Sequence, residues 1–198
     1  MEKAIPAIIL AAGASQRLGR DKALLEVEGE PLVTLVAKRL AAGGVSPIVI
    51  VTHAESAFAC LGAAPECKVA INKSPEEGRT GSIQVGLLAL GEDFGRLPKA
   101  VLIVPVDRPG WSLSTLAKVL ATEGWVCPEK DGRGGHPLRI SEAEVEAIMA
   151  APSDMSLRQL TKPQRIPVED AFIHLNIDSP EDMAELKRWA SQSDGLSR

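Results

Sequence analysis

Apolar residues along this chain fall into short, nearly continuous runs, separated by stretches in which they recur every three or four positions. Residues 5–10 form the first run, IPAIIL, which ends just before a turn containing Gly13 and reads as a strand covered by helices on both faces. Residues 31–42 then place Leu32, Leu35, Val36, Arg39 and Leu40 at near-helical spacing. Pro31 suits a first turn and Gly43-Gly44 a stop, so this segment predicts a helix. The alternation continues with strands predicted at 47–52, 68–71 and 99–104 and helices at 54–61 and 82–90. In the second half the pattern predicts a helix at 113–121, strands at 125–127 and 137–140, and a helix at 141–149. Ser141 and Glu144 have capping-box spacing there. A strand at 171–176 and a helix from Ser179-Pro180-Glu181-Asp182 to residue 190 complete the series. Strands alternating with helices predict one α/β domain over 1–190 with a mainly parallel sheet, and 191–198 as a frayed tail.

Composition narrows the function classes. The 198 residues suit one domain, and a net charge of -4 without any basic run or any Tyr argues against a nucleic acid polymer as partner. The first apolar run is too short to span a bilayer, and as a buried strand it needs neither a membrane nor a secretion role. Cys60, Cys67 and Cys127 form no CxxC pair and are expected to be reduced and buried, in keeping with a cytoplasmic protein. His53, His136 and His174 are isolated and lack the spacing of a zinc site.

Charged and small residues collect where predicted strands end. Leu10, Ala11, Ala12 and Gly13 leave the first strand and lead to Arg17, Arg20 and Lys22, a loop able to turn backbone amides and cations toward phosphates. It matches neither GxxxxGK[ST] nor GxGxxG, and a solvated basic loop is the competing reading. Asp107 follows the 99–104 run and offers a hard oxygen to magnesium, or alternatively bonds its own turn. Asp178 follows the last predicted strand, where it serves as a second ligand or as a helix-start residue; Asn176 is placed to hold it, and Asp182 reads as a cap. Thr80, Gly81 and Ser82 stand at a predicted helix start, suited to a base, ribose or phosphate, with Ser82 as a simple N-cap the alternative. Arg133 and His136 sit in a Gly-rich segment, where Arg133 suits an acceptor phosphate and His136 reads either as a substrate contact or as a structural histidine.

Taken in order, LAAGASQRLGRDK, VPVDRP, GRGGHP and NIDSPEDM resemble the motifs of the MobA-like nucleotidyltransferases, closest to the molybdenum cofactor cytidylyltransferase branch, over about residues 5 to 190. The resemblance implies a Rossmann-like three-layer domain and Mg2+-dependent transfer from CTP or another NTP to a phosphorylated acceptor, molybdopterin in that branch, with pyrophosphate released. It assigns Leu10 to Gly13 to the base and sugar, Arg17 and Lys22 to the phosphates, and Asp107 and Asp178 to the metal. Asn72 and residues 78–82 correspond to nucleotide recognition. His136, Asp154 and Arg158 correspond to the acceptor pocket, and a molybdoenzyme-maturation protein is an implied partner. Arg108 stands where that branch usually has Gln or Met. Transfer to a sugar or alcohol phosphate, and a non-catalytic nucleotide-binding or cofactor-chaperone role, are the competing functions.

Overall fold

The computed structural model describes residues 4–13, 21–160 and 162–192. Its first strand, β1 (Ala7–Leu10), is followed by a 3-10 turn at Lys22–Leu24, the hairpin β2 (Glu26–Val27) and β3 (Glu30–Pro31), and α1 (Leu32–Ala42). Then come β4 (Ile48–Thr52), α2 (Ala54–Ala63), β5 (Lys68–Ile71), α3 (Arg79–Phe94), β6 (Ala100–Pro105) and α4 (Leu113–Ala121). The second half contains β7 (Val126–Lys130), β8 (Arg133–Gly134), β9 (Leu138–Ser141), α5 (Glu142–Ala150), the single turn α6 (Leu157–Leu160), β10 (Gln164–Pro167) and α7 (Asp182–Gln192).

The main sheet runs β10-β7-β9-β6-β1-β4-β5, with β8 paired to β7. β1 is parallel to both β4 and β6, β5 is parallel to β4, and β10 to β7; β9 runs antiparallel between β6 and β7. Each central strand divides its side chains between two cores, as period-two geometry requires. Ile9, Ile50, Leu102 and Val104 face one core with α1, α4 and α7, while Ile8, Val49, Val51 and Ile103 face the other with α3 and α5. The result is a single three-layer α/β domain with a mainly parallel sheet. Among the described residues no helix is long and apolar enough to cross a membrane. Cys60, Cys67 and Cys127 are free thiols, all buried.

Three expectations need correction. Residues 171–176 form no strand: 171–174 are a turn, and the amides that follow bond locally or to the Asp107 carbonyl. Ile173, Leu175 and Ile177 are all buried, so the period-two pattern was real; it reports one-sided burial, which a chain lying along the sheet edge achieves without ladder bonds. Besides the short β2, β3 and β8, an unexpected strand is β10, whose QRIP sequence is polar and ends in Pro, a composition permitted because it sits at the sheet's edge. Third, α3 begins at Arg79 rather than at Ser82. Its N-cap is Gly78, whose φ of 115° lies in the region favouring glycine, so Ser82 falls in the first turn and is not the cap.

The segment after β6 and the segment before α7 lie against each other. Ile177 N–H donates to the Asp107 carbonyl at 3.0 Å, and Ser112 N–H to the Asp170 carboxylate at 2.8 Å. Between them Gly110 is so close to the other chain segment that a Cβ there would stand 1.7 Å from the Phe172 carbonyl oxygen. Gly110→Ala is therefore expected to push these backbones apart and to lower stability by about 1–3 kcal/mol, the usual range for overpacking. Urea denaturation measures this; an unchanged midpoint would mean that the two segments separate without cost.

Candidate active site

Parallel strands expose the amides and side chains of the loops that leave their carboxyl ends, and ligands collect where successive connections depart in opposite directions. Here that place is the β1–β6 boundary. From β1 the chain moves outward to β4 and β5, then returns across the sheet to β6. Leu10 and Pro105 are partners in register, Val106 N–H donates to the Leu10 carbonyl at 3.0 Å, and Ala11 N–H donates to Val51 at 2.8 Å. This seam sets the residues after both strands side by side. They open into a cleft of about 230 Å3 that is lined by Leu10, Ala11, Ala12, Gly13, Lys22, Ser82 and Asp107, together with Pro75, Gly78, Arg79, Pro105 and Val106.

At its edge lies a three-residue charge cluster assembled from distant parts of the chain. Lys22 Nζ donates to Asp107 Oδ2 at 3.1 Å and to Asp178 Oδ1 at 2.5 Å. The Asn176 side-chain amide donates to the other Asp178 oxygen, and Asp182 accepts the Asp178 and Ser179 amides at 2.8 Å each. Asp182 thus acts as a cap, and in doing so fixes the backbone that presents Asp178. Burial works against the Lys22 charge, but hydrogen bonding to Asp178 and the pull of Asp107 outweigh it and raise its pKa. The Lys22 hydrogen bond lowers the pKa of Asp178, against a smaller opposing effect of burial.

Lys22 is itself held in place from its N-terminal side. Asp21 Oδ1 accepts from Ala23 N–H at 2.9 Å, closing the 3-10 turn, while Oδ2 takes the Ser56 hydroxyl and lies 3.3 Å from His53 Nε2. The Asp21 side chain ties the end of the first loop to α2. Nothing local in the sequence marks this role for Asp21, because Ser56 and His53 lie more than 30 positions away.

Other expected site residues fall differently. Arg17 and Arg20 lie outside the described residues. Asn72 is buried and donates to Ser82 Oγ at 3.0 Å while accepting from Ser74 N–H, so it shapes the wall behind the cleft. The Thr80 hydroxyl donates to Met155 O at 2.5 Å and Gly81 N–H to Ser153 O at 2.9 Å, so both dock the 153–155 segment and neither lines the cleft. Asp154 and Arg158 are exposed, as is Arg133 on β8. His136 is half-buried, with no partner for Nδ1 among the described residues. Burial, Arg108 and Arg79 together push its pKa down to about 3, so the imidazole is neutral. Arg79, within the 78–82 stretch, lines the cleft.

The two carboxylates converge on one cationic centre, now the Lys22 ammonium, which is the donor set a divalent cation needs from a protein when phosphate oxygens and water supply the rest. Among the described residues no group of three or more His, Cys, Asp and Glu side chains gathers into a closed cage. The N-terminus of the 16-residue helix α3 faces the same cleft through Gly78, Arg79 and Ser82, adding a positive dipole end. A small pocket with an ammonium, a guanidinium, a helix N-terminus and two adjacent carboxylates can hold a polyphosphate and its counter-cation.

Residues 7–169 match the MobA-like NTP transferase domain family. The chain is 32% identical over 120 residues to nicotine blue oxidoreductase of Paenarthrobacter nicotinovorans, covering 60% of this chain and 56% of that protein. It is 30% identical over 158 residues to the molybdenum cofactor guanylyltransferase of Xanthomonas euvesicatoria, covering 77% and 76%. With the molybdenum cofactor cytidylyltransferase of Escherichia coli it shares 26% identity over 194 residues, covering 93% and 96%. The chain therefore spans little more than half of the first of these relatives and nearly all of the last. Its fold is similar to that of Rv0371c from Mycobacterium tuberculosis, with a TM-score of 0.78 at 21% identity over 95% of this chain and 99% of that one. A further structure of Rv0371C is a complex with manganese, with a TM-score of 0.74 at 18% identity over 94% and 99% of the two chains. With a family match over most of its length and the strand-end cleft in the corresponding fold, the chain belongs to the MobA-like NTP transferase family.

Proposed function

We propose that this protein transfers a cytidylyl group from CTP to the terminal phosphate of molybdopterin, with Mg2+ and release of pyrophosphate. The observation that carries the reading is the Lys22 ammonium lodged between Asp107 and Asp178 at the mouth of a phosphate-sized cleft. A cation bound there in place of the ammonium would neutralise charge on the triphosphate and on the leaving pyrophosphate. Asp107 and Asp178 would hold it, and Lys22 would turn from the carboxylates to phosphate oxygens. The base and sugar lie along Leu10 to Gly13, where Ala11 and Ala12 keep the wall low, and the α3 N-terminus with Arg79 takes the phosphate tail.

The acceptor then needs only to be brought in line. Its phosphate oxygen forms a bond to the α-phosphorus as the bond from that phosphorus to the bridging oxygen breaks, and pyrophosphate departs with the electron pair. A phosphate oxygen is nucleophilic without a base, so positioning and charge neutralisation carry the step. With a neutral ring, His136 can contribute a single hydrogen bond to the acceptor but no charge; the positive charge near it comes from Arg79 and Arg108. Support for the acceptor is the pair of relatives named as molybdenum cofactor nucleotidyltransferases, and support for cytidine is the cytidylyltransferase of the two, which this chain covers nearly end to end. Three buried free thiols favour a reducing, cytoplasmic setting.

Purified protein with Mg2+, molybdopterin and each of CTP, GTP, ATP and UTP should release pyrophosphate fastest with CTP. GTP in first place would replace the base. Release only with sugar or alcohol phosphates would replace the acceptor, and silence throughout by a folded protein would favour the non-catalytic reading. Asp107→Ala and Lys22→Ala are each expected to lower kcat by about 100-fold or more, the usual cost of losing one charge-stabilising group. Near-parental kcat in either folded variant would remove that residue from the mechanism.

The same ion pair makes a pH prediction. The depressed Asp178 pKa means that its stabilising contribution is present above the ordinary value of 3.8 and is lost as pH falls through the lower native value. Asp178→Asn should therefore be less stable than the parent at neutral pH, with the gap closing below 3.8. Urea unfolding at several pH values reads this directly, and a gap that stays constant into acid would show that the Lys22 bond contributes nothing.

A further inference from the structure

A second cleft, about 450 Å3, lies between α1, the start of α4 and α7, and shares no lining residue with the nucleotide cleft. Its wall carries Arg39, which is only 7% exposed and forms no ion pair among the described residues. The guanidinium is stacked between Trp111 and Trp189, 5.4 and 5.0 Å from the ring centroids, and Nη2 donates to the Trp111 carbonyl at 2.7 Å. Its Nε and the indole nitrogen of Trp111, a residue 1% exposed, have no partner among the described residues, and both atoms are closed off from solvent. Burial lowers the Arg39 pKa, with Asp170 opposing.

Buried donors without acceptors are costly, and a buried charge without a counter-ion more so. The cleft also receives the N-terminus of α4, a nine-residue helix capped by Ser112, whose hydroxyl accepts from Thr115 N–H at 3.2 Å. Leu113 and Ser114, at that terminus, line the cleft. The local acid is Asp170, and one of its oxygens is engaged by the Ser112 amide. A helix N-terminus beside one buried cation that has no ion-pair partner among the described residues suits an anion. Because Asp170 stands nearby, a single negative charge suits the site better than two. Trp111, Phe172 and Trp189 provide an apolar wall for the body that carries that charge.

We propose that this cleft is a binding site for a small apolar carboxylate, its anionic group directed at Arg39 and the α4 N-terminus. The site is independent of the nucleotide reading. The chain has three tryptophans and no tyrosine, and two of the three line the cleft, so intrinsic fluorescence reports on it directly.

The test titrates the full chain with cyclohexanecarboxylate, which is transparent at the excitation wavelength, and in parallel with cyclohexanecarboxamide, the uncharged analogue. The carboxylate should produce a saturable change and the carboxamide should bind at least tenfold more weakly. Arg39→Gln should abolish the response. Since that variant removes a buried group and risks misfolding, Ser114→Asp provides the second arm: a carboxylate in the first turn favours the helix but repels an anion, and should weaken binding at least fivefold. Lys22→Ala should bind as the parent does. The proposal is overturned by any of five results: no saturable response, equal affinity for the carboxamide, parental affinity in Arg39→Gln, parental affinity in Ser114→Asp, or loss of binding in Lys22→Ala.

Discussion

The arrangement of this molecule at its working edge depends on one ammonium group shared by two carboxylates. Lys22 comes from a 3-10 turn, Asp107 from the exit of β6 and Asp178 from the approach to α7, three segments with no sequence proximity. Without a cation between them the two acids would repel each other at close range in a partly dry setting, where Coulomb energies are larger than in water. The ammonium thus acts as an internal counter-ion that holds the acids in position. It keeps them directed at a common point, an arrangement able to take a polyphosphate's cation.

Around that point the fold supplies rigidity by several independent attachments. Asp21 fixes the turn that carries Lys22 by closing it and by reaching Ser56 on α2. Asp182 and Asn176 hold Asp178 through its backbone and its free oxygen. Asp107 is carried by the register of β6 on β1 and by its own carbonyl, which takes the Ile177 amide. The tight passage of Gly110 under Phe172 allows these last two segments to approach. The attachments through Asp21, Asn176, Asp182 and Gly110 use a short polar side chain or a missing one, the type of residue that costs little entropy to immobilise.

Much of the architecture was legible in the chain. Continuous apolar runs marked β1, β4 and β6, because strands buried on both faces need no polar alternation, and α1 showed its Pro start and Gly stop. The capping box of Ser141 and Glu144 is present as its spacing predicts. Reading failed at the sheet's other side. The alternation of Ile173, Leu175 and Ile177 signals burial on one face, and burial alone does not choose between a paired strand and an irregular segment lying on the core. In the same way β10 is recognised only through its partner β7, since its own residues are polar.

The candidate site divides along the same line. Leu10 to Gly13, Lys22, Ser82 and Asp107 could be picked out by their positions after strands or at a helix start, because a parallel sheet delivers all such positions to one edge. The sequence by itself thus determined the α/β class, the edge at which chemistry collects and the types of charge gathered there, all of which follow from local periodicity and chain direction. Only the tertiary structure decided that Lys22 bridges Asp107 and Asp178, that Thr80 and Gly81 dock the 153–155 segment rather than line the cleft, and that Arg39 is buried between two indoles. These pairings join positions tens of residues apart, and they depend on distances across the sheet and between layers that no local pattern encodes.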